Sequence, residues 1–205
     1  MMFVRTESFQ EFIRFYPVVS VIVAINLGLW FFTDFLPIPF LEAIRSFGLA
    51  QNGLIYYDQE YWRLFTAIFF HFGLMHAVFN SFSLVLFGPG LERMLGKLKF
   101  ILLYVVSGLV GNLVTLWLGS EILTHAGASG AVFGLFGAYL FIVLYRKHLL
   151  DYQSTQMIVV IMIFAFIMTF MRANINIYAH IFGFMGGFGL AYFLLMGHKH
   201  RSHWI

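Results

Sequence analysis

Gly127-Ala128-Ser129-Gly130-Ala131-Val132-Phe133-Gly134-Leu135-Phe136-Gly137 opens an apolar run that continues to Tyr145, with Ser129 near its start and glycines at 130, 134 and 137 along one helical stripe. A polar group buried unpaired in hydrocarbon costs several kcal/mol, so an intramembrane polar residue marks a functional site by default. Two further stretches have the same character. Ala179-His180-Ile181-Phe182-Gly183 sets a histidine near the start of the last apolar run, and His76-Ala77-Val78-Phe79-Asn80 sets a histidine and an asparagine one helical turn apart in an earlier one.

Composition names the solvent. Of 205 residues 61% are hydrophobic, 20% aromatic and only 10% charged, against about 25% charged in ordinary soluble domains. This is the composition of a membrane protein. The net charge of +3 does not point to nucleic acid, because the twelve Lys and Arg are scattered in twos and threes between apolar runs instead of forming a basic face. With no cysteine in the chain, a disulfide, a thiolate metal site and a cysteine nucleophile are all excluded. Any nucleophile is an oxygen.

Apolar stretches fall at about 17–33, 65–87, 100–118, 126–145, 156–171 and 176–196. A helix rising about 1.5 Å per residue needs roughly 20 residues to cross hydrocarbon about 30 Å thick, so the pattern predicts six spans in a single membrane domain over residues 1–205. The fifth, counted from Met157 to Met171, reaches only about 22 Å at that rise and is expected to be short. The first run lacks a small-x-small cleavage pattern and ends at Asp34, so it is kept as an anchor and not a cleaved signal.

Loop charges orient the bundle. With the N-terminus inside, Arg5, Arg14, Arg93, Lys97, Lys99, Arg146, Lys147, Lys199 and Arg201 are cytoplasmic, and Arg45, Arg63 and Arg172 are outside. That bias predicts a multi-pass cell-membrane protein with both termini cytoplasmic. The second, fourth and sixth spans then run from outside to inside, which sets Ser129, His180, His76 and Asn80 at similar depth below the outer surface.

Spacing decides which of these can cooperate. His76 and Asn80 are four residues apart, so they project from one helix face and can serve one oxyanion together. Gly183 and Gly187 follow His180 on nearly one stripe, and Gly130, Gly134 and Gly137 make a comparable groove on the fourth span. Small residues at such spacing let two membrane helices approach closely, as a serine and a histidine on separate helices need in order to hydrogen-bond. Ser129 is the candidate nucleophile and His180 its base. The Ser129 N–H, at a helix N-terminus, with the side chains of His76 and Asn80, supplies candidate oxyanion donors. The helices carrying the site offer no Asp or Glu to orient His180, which points to a dyad instead of a triad. No metal and no cofactor are expected.

These motifs resemble those of rhomboid intramembrane serine proteases of the minimal six-helix type. The resemblance covers nearly the whole chain: Gly127 to Gly130 around Ser129, His180 with Gly183, His76 with Asn80, Trp62-Arg63 in the first loop, and Glu92 with Gly96 after the second span. It implies an all-α bundle of six transmembrane helices with a long membrane-associated first loop. It further implies an endopeptidase whose substrates are transmembrane segments of membrane proteins, cut near their outer end after a small residue. Many family members have a tyrosine four residues after the serine; here that position is Phe133, which keeps the ring face for stacking on His180 and lacks the hydroxyl.

Other roles are weighed against these. A rhomboid-like chaperone would hold membrane clients without cutting them and would be expected to lack the serine or the histidine; this chain has both. A transporter or metal channel using His71, His76, Asn80 and His180 as ligands fits poorly with the lack of intramembrane Asp or Glu, of a His-Glu-x-x-His motif and of inverted repeats. His71, five residues before His76, is about 140° around a shared helix and is read as a capping or packing residue. Trp62 and Arg63 are read as interface anchors of the loop, and residues 37–61 as partly seated in the outer leaflet. The His198 to His203 tail is read as solvated.

Overall fold

The computed structural model describes residues 6–36, 38–171 and 175–196. Helix α1 (Phe9–Phe15) is opened by a capping box in which Ser8 and Glu11 satisfy each other's backbone N–H groups. Helix α2 (Pro17–Trp30) starts on a proline, which needs no donor partner at that position, and its next two N–H groups, of Val18 and Val19, donate to the Glu92 carboxylate at 3.0 and 2.9 Å. A π-helical turn, Phe31–Phe35, ends this first span.

From residue 38 on, the first loop is built of short elements. It holds α3 (Pro39–Gly48), strand β1 (Ala50–Gln51), α4 (Asn52–Tyr57) and α5 (Trp62–Thr66). Arg63 is its buried knot: the guanidinium ion-pairs with Glu60 and donates to the carbonyls of Ser46, Phe47 and Leu49. Burying a cation is costly unless every donor finds an acceptor, and here one side chain satisfies the backbone of a whole turn. Trp62 stacks on Phe47 with centroids 5.2 Å apart. The pair Trp62-Arg63 therefore builds the loop itself, more than it anchors it to an interface.

Five long apolar segments then remain: α6 (Leu74–Leu95), α7 (Lys97–Leu118), α8 (Ser129–Tyr145), α9 (Tyr152–Met171) and α10 (Ile177–Met196). With α2 and its π turn, five of the six are long enough to cross a membrane; α8, at 17 residues, is the shorter one. Together they form the expected six-helix bundle. Helix α8 is its axis, with twelve of its seventeen residues buried, as befits a helix that is apolar all round. Helix α9 lies at the edge, with only Ser154, Ile158, Met162 and Thr169 buried among twenty.

The second and fifth spans differ most from the hydropathy reading. The second span begins at Leu74, not 65, because Gly73 (φ +75°) breaks the chain ahead of it; it runs on through Gly88, Pro89 and Gly90 to Leu95. Those small residues admit α2: a Cβ at Gly88 would lie 2.6 Å from Val19 Cγ2. The fifth span is not short. Asp151 caps Ser154 through both its N–H (2.9 Å) and its hydroxyl (2.7 Å), which starts α9 at Tyr152 and gives it twenty residues, about 30 Å. Apolar runs alone miss this polar first turn.

The helices share two ends. At one, Glu92 holds the start of α2 and Lys99 of α7 reaches the Leu194 carbonyl of α10 at 3.5 Å. At the other, β1 pairs antiparallel with β2 (Thr124–His125), matching Ala50 to His125 and Gln51 to Thr124. The Asn52 amide adds bonds to the carbonyls of Thr115 and Ser120. The first loop is thus tied to the segment that leads into α8. The His198 to His203 tail, with Arg5, Arg172, Lys199 and Arg201, lies outside the described residues.

Candidate active site

Ser129 opens α8, and the chain reaches it through a pinned turn. The Gly127 N–H donates to the Ala67 carbonyl (2.8 Å) and the Ala128 N–H to His71 Nε2 (3.2 Å). Gly127 has φ +132°, and a Cβ there would stand 2.7 Å from His76 Nε2, so conformation and space both demand glycine. Ser129 is partly exposed, and among the described residues its hydroxyl has no hydrogen-bond partner. Its N–H lies in the first helical turn, where no intrahelical acceptor exists.

His71 is not on the helix of His76, since α6 starts three residues after it; the angular argument from a shared helix therefore does not apply. Its ring is buried, with Nδ1 3.1 Å from the Phe69 carbonyl. Burial, followed by the nearness of His76, pushes His71 down to about 3 in spite of that carbonyl. The neutral ring donates from Nδ1 and accepts the Ala128 N–H at Nε2. It supports the serine turn from behind.

His180 is set by the start of α10. The Asn176 side chain accepts the Ala179 N–H (3.0 Å) and is met by the Thr115 hydroxyl at 3.1 Å. The His180 ring is buried, and Phe133 lies flat on it, centroids 4.1 Å apart and 15° from parallel. Its Nδ1 sits 2.8 Å from Thr169 Oγ1 on α9. Among the described residues there is no hydrogen bond between Ser129 and His180. Catalytic hydrogen bonds are often long in a free enzyme and shorten around substrate.

Backbone contact between α8 and α10 brings the two residues near each other. A Cβ at Gly130 would lie 3.2 Å from the Ala179 carbonyl oxygen, one at Gly183 would overlap the Gly130 carbonyl, and one at Gly187 would overlap that of Gly134. Gly111 of α7 continues the seam, with a Cβ there 2.6 Å from the Ala179 oxygen. Ser129 and His180 flank this seam at its β-ribbon end.

The Gly127 turn lies under the His76 ring. The built Cβ that meets His76 Nε2 is also 3.8 Å from Ser129 Oγ, which puts the imidazole edge and the hydroxyl on one side of the turn. His76 Nδ1 faces the Phe72 N–H at 3.4 Å, so a neutral His76 carries its proton on Nε2. Asn80 is buried and spends one amide N–H on the His76 carbonyl (2.9 Å), leaving the second. Among the described residues, no three His, Cys, Asp or Glu side chains gather where they could hold a metal ion.

Sequence reasoning passed over Thr169 and Asn176. Thr169 is the one hydroxyl in the apolar run from Met157 to Met171, and that contrast was the available signal. Asn176, just ahead of the sixth span, carries the residue-type signal of a helix cap.

Residues 58–197 match the family model described as Rhomboid domain. YdcA, a rhomboid protein of Bacillus subtilis (strain 168), is 46% identical over 98% of this chain and 100% of its own length. Rhomboid protease GluP of the same organism is 38% identical over 72% of this chain and 28% of its own. RHOMBOID-like protein 5 of Arabidopsis thaliana is 32% identical over 77% of this chain and 52% of its own.

Proposed function

The chain belongs to the rhomboid family of intramembrane serine proteases, and from that premise we propose that it hydrolyses transmembrane segments with Ser129 as nucleophile and His180 as base. The observation that best supports this is the α8 to α10 seam. Two helices touching at the backbone, with Phe133 stacked on His180, leave the serine hydroxyl and the imidazole on neighbouring edges of one contact.

The chemistry balances with these groups alone. Ser129 Oγ attacks the scissile carbonyl as its proton passes to His180 Nε2. The oxyanion is met by the Ser129 N–H, the His76 Nε2–H and the free amide N–H of Asn80. Collapse expels the amine, which takes the proton from His180, and an acyl-enzyme remains. Water enters by the same proton route and releases the acid. Gly127 and Gly130 keep the turn narrow, and Gly183 and Gly187 keep the helices close. Substrates are membrane proteins within the bilayer, cut near the outer end of a span, and the enzyme sits in the cell membrane with both termini cytoplasmic.

Reaction of the detergent-solubilised protein with a fluorophosphonate, beside cleavage of a model transmembrane substrate, tests the reading. Wild type labels and cleaves; Ser129→Ala and His180→Ala do neither. Cleavage that persists in Ser129→Ala removes the serine mechanism. A folded wild type that neither labels nor cleaves, yet retains membrane clients, is a client-binding member of the family.

A further inference from the structure

We propose that Thr169 is a positioning residue that holds His180 in the tautomer its role as base requires; this rests on the reading that Ser129 and His180 form the dyad. A hydroxyl has one proton and two lone pairs. Thr169 Oγ1 is 2.8 Å from the Ala165 carbonyl, one helical turn back, and also 2.8 Å from His180 Nδ1. A carbonyl only accepts, so the single hydroxyl proton goes to Ala165. The oxygen then faces His180 with a lone pair, and Nδ1 must be the donor. A neutral imidazole with its proton on Nδ1 has its free pair on Nε2, the atom that takes the serine proton.

The site is built for this. Thr169 is 1% exposed and His180 7%, so both partners of the hydrogen bond are buried. Around the ring, α8 contributes the apolar face of Phe133 and α9 the hydroxyl. No carboxylate is hydrogen-bonded to His180 among the described residues; an alcohol with a committed proton takes the orienting place. When His180 becomes imidazolium in the reaction, the same lone pair receives the Nδ1–H more strongly, because bonds to a charged donor are the stronger kind. The acceptor sits on α9, so the orientation of the base depends on that helix being seated.

The test uses full-length protein with Thr169→Val, which keeps the shape and removes both hydroxyl functions, and Thr169→Ser, which restores them. The rate of fluorophosphonate labelling and kcat on a model substrate are expected to fall about tenfold in Thr169→Val, as suits one orienting hydrogen bond. KM should change little, and Thr169→Ser should return to near the wild-type rate. Nitrogen-15 spectra of histidine-labelled wild type, with His180→Gln to assign the signal, should show Nδ1 protonated and Nε2 bare; Thr169→Val should mix the tautomers. A wild-type His180 protonated on Nε2 overturns the proposal without any variant, as does a Thr169→Val protein with unchanged rate and tautomer. Cleavage by Ser129→Ala or His180→Ala would instead bring down the dyad on which it rests.

Discussion

Phe133 and His180 lie face to face, ring centroids 4.1 Å apart and 15° from parallel, across the seam between α8 and α10. The ring is one turn beyond Ser129, so a single helix supplies both the candidate nucleophile and the platform under its base. The stack needs no hydroxyl. Phe133→Tyr is therefore expected to keep its activity, while Phe133→Leu, which leaves an apolar side chain but no flat face, should lower kcat from a few-fold to about tenfold. Steady-state cleavage of a model transmembrane substrate decides it; full activity in Phe133→Leu would show that the stack does not orient the base.

The candidate oxyanion donors make a separate prediction. His76 has its Nδ1 facing the Phe72 N–H and its Nε2 over the Gly127 turn, and Asn80 keeps one amide N–H free. Replacing either with alanine should lower kcat by about 10² with little change in KM, as loss of one oxyanion donor does elsewhere. Asn80→Ala also frees a carbonyl on its own helix, so thermal unfolding is measured beside turnover. Unchanged turnover in both variants would remove them from the site.

How far the sequence reached depends on which signals are local. Hydropathy located all six spans, because each must match hydrocarbon on its own. It misplaced the start of α6, decided by a left-handed Gly73, and of α9, decided by the Asp151 cap, because both are polar events just outside the apolar run. The residues around Ser129 were legible as motifs. The partners of His180 and Ala128 were not: Thr169 and His71 act through contacts 11 and 57 residues away in sequence, which no single-helix periodicity reports. No sequence rule singles out a hydroxyl on a neighbouring helix as the partner of a histidine, and Thr169 is such a hydroxyl.

Topology can be checked independently. The start of α2, the end of α6, the start of α7 and the end of α10 share one end of the bundle through Glu92 and Lys99, and Arg93 and Lys97 belong to the same end. The positive-inside rule predicts that end to be cytoplasmic. Reporter fusions after Lys199 should read inside, and an insertion beside the exposed Glu121, in the segment between α7 and α8, should read outside. A cytoplasmic reading at Glu121 would put the candidate site at the wrong face of the membrane.

The closeness of α8 and α10 rests on absent side chains, and Gly187 is its sharpest test. A Cβ there would overlap the Gly134 carbonyl oxygen, and helix backbone cannot swing aside as a side chain can. Any substitution must push the helices apart. On the same helix two residues later, a Cβ at Gly189 would meet nothing within 4 Å, so Gly189→Val carries the same change in helix propensity without the collision. A misplacement of about 1 Å can cost on the order of 10² in rate. Gly187→Val is thus expected to cleave at least about a hundredfold more slowly than wild type, with Gly187→Ala already impaired and Gly189→Val close to normal. Thermal unfolding in detergent, run alongside, separates a displaced dyad from a collapsed fold. A folded Gly187→Val enzyme with full activity would mean that Ser129 and His180 reach each other by some route other than this seam, and the packing argument would fall while the serine chemistry stood.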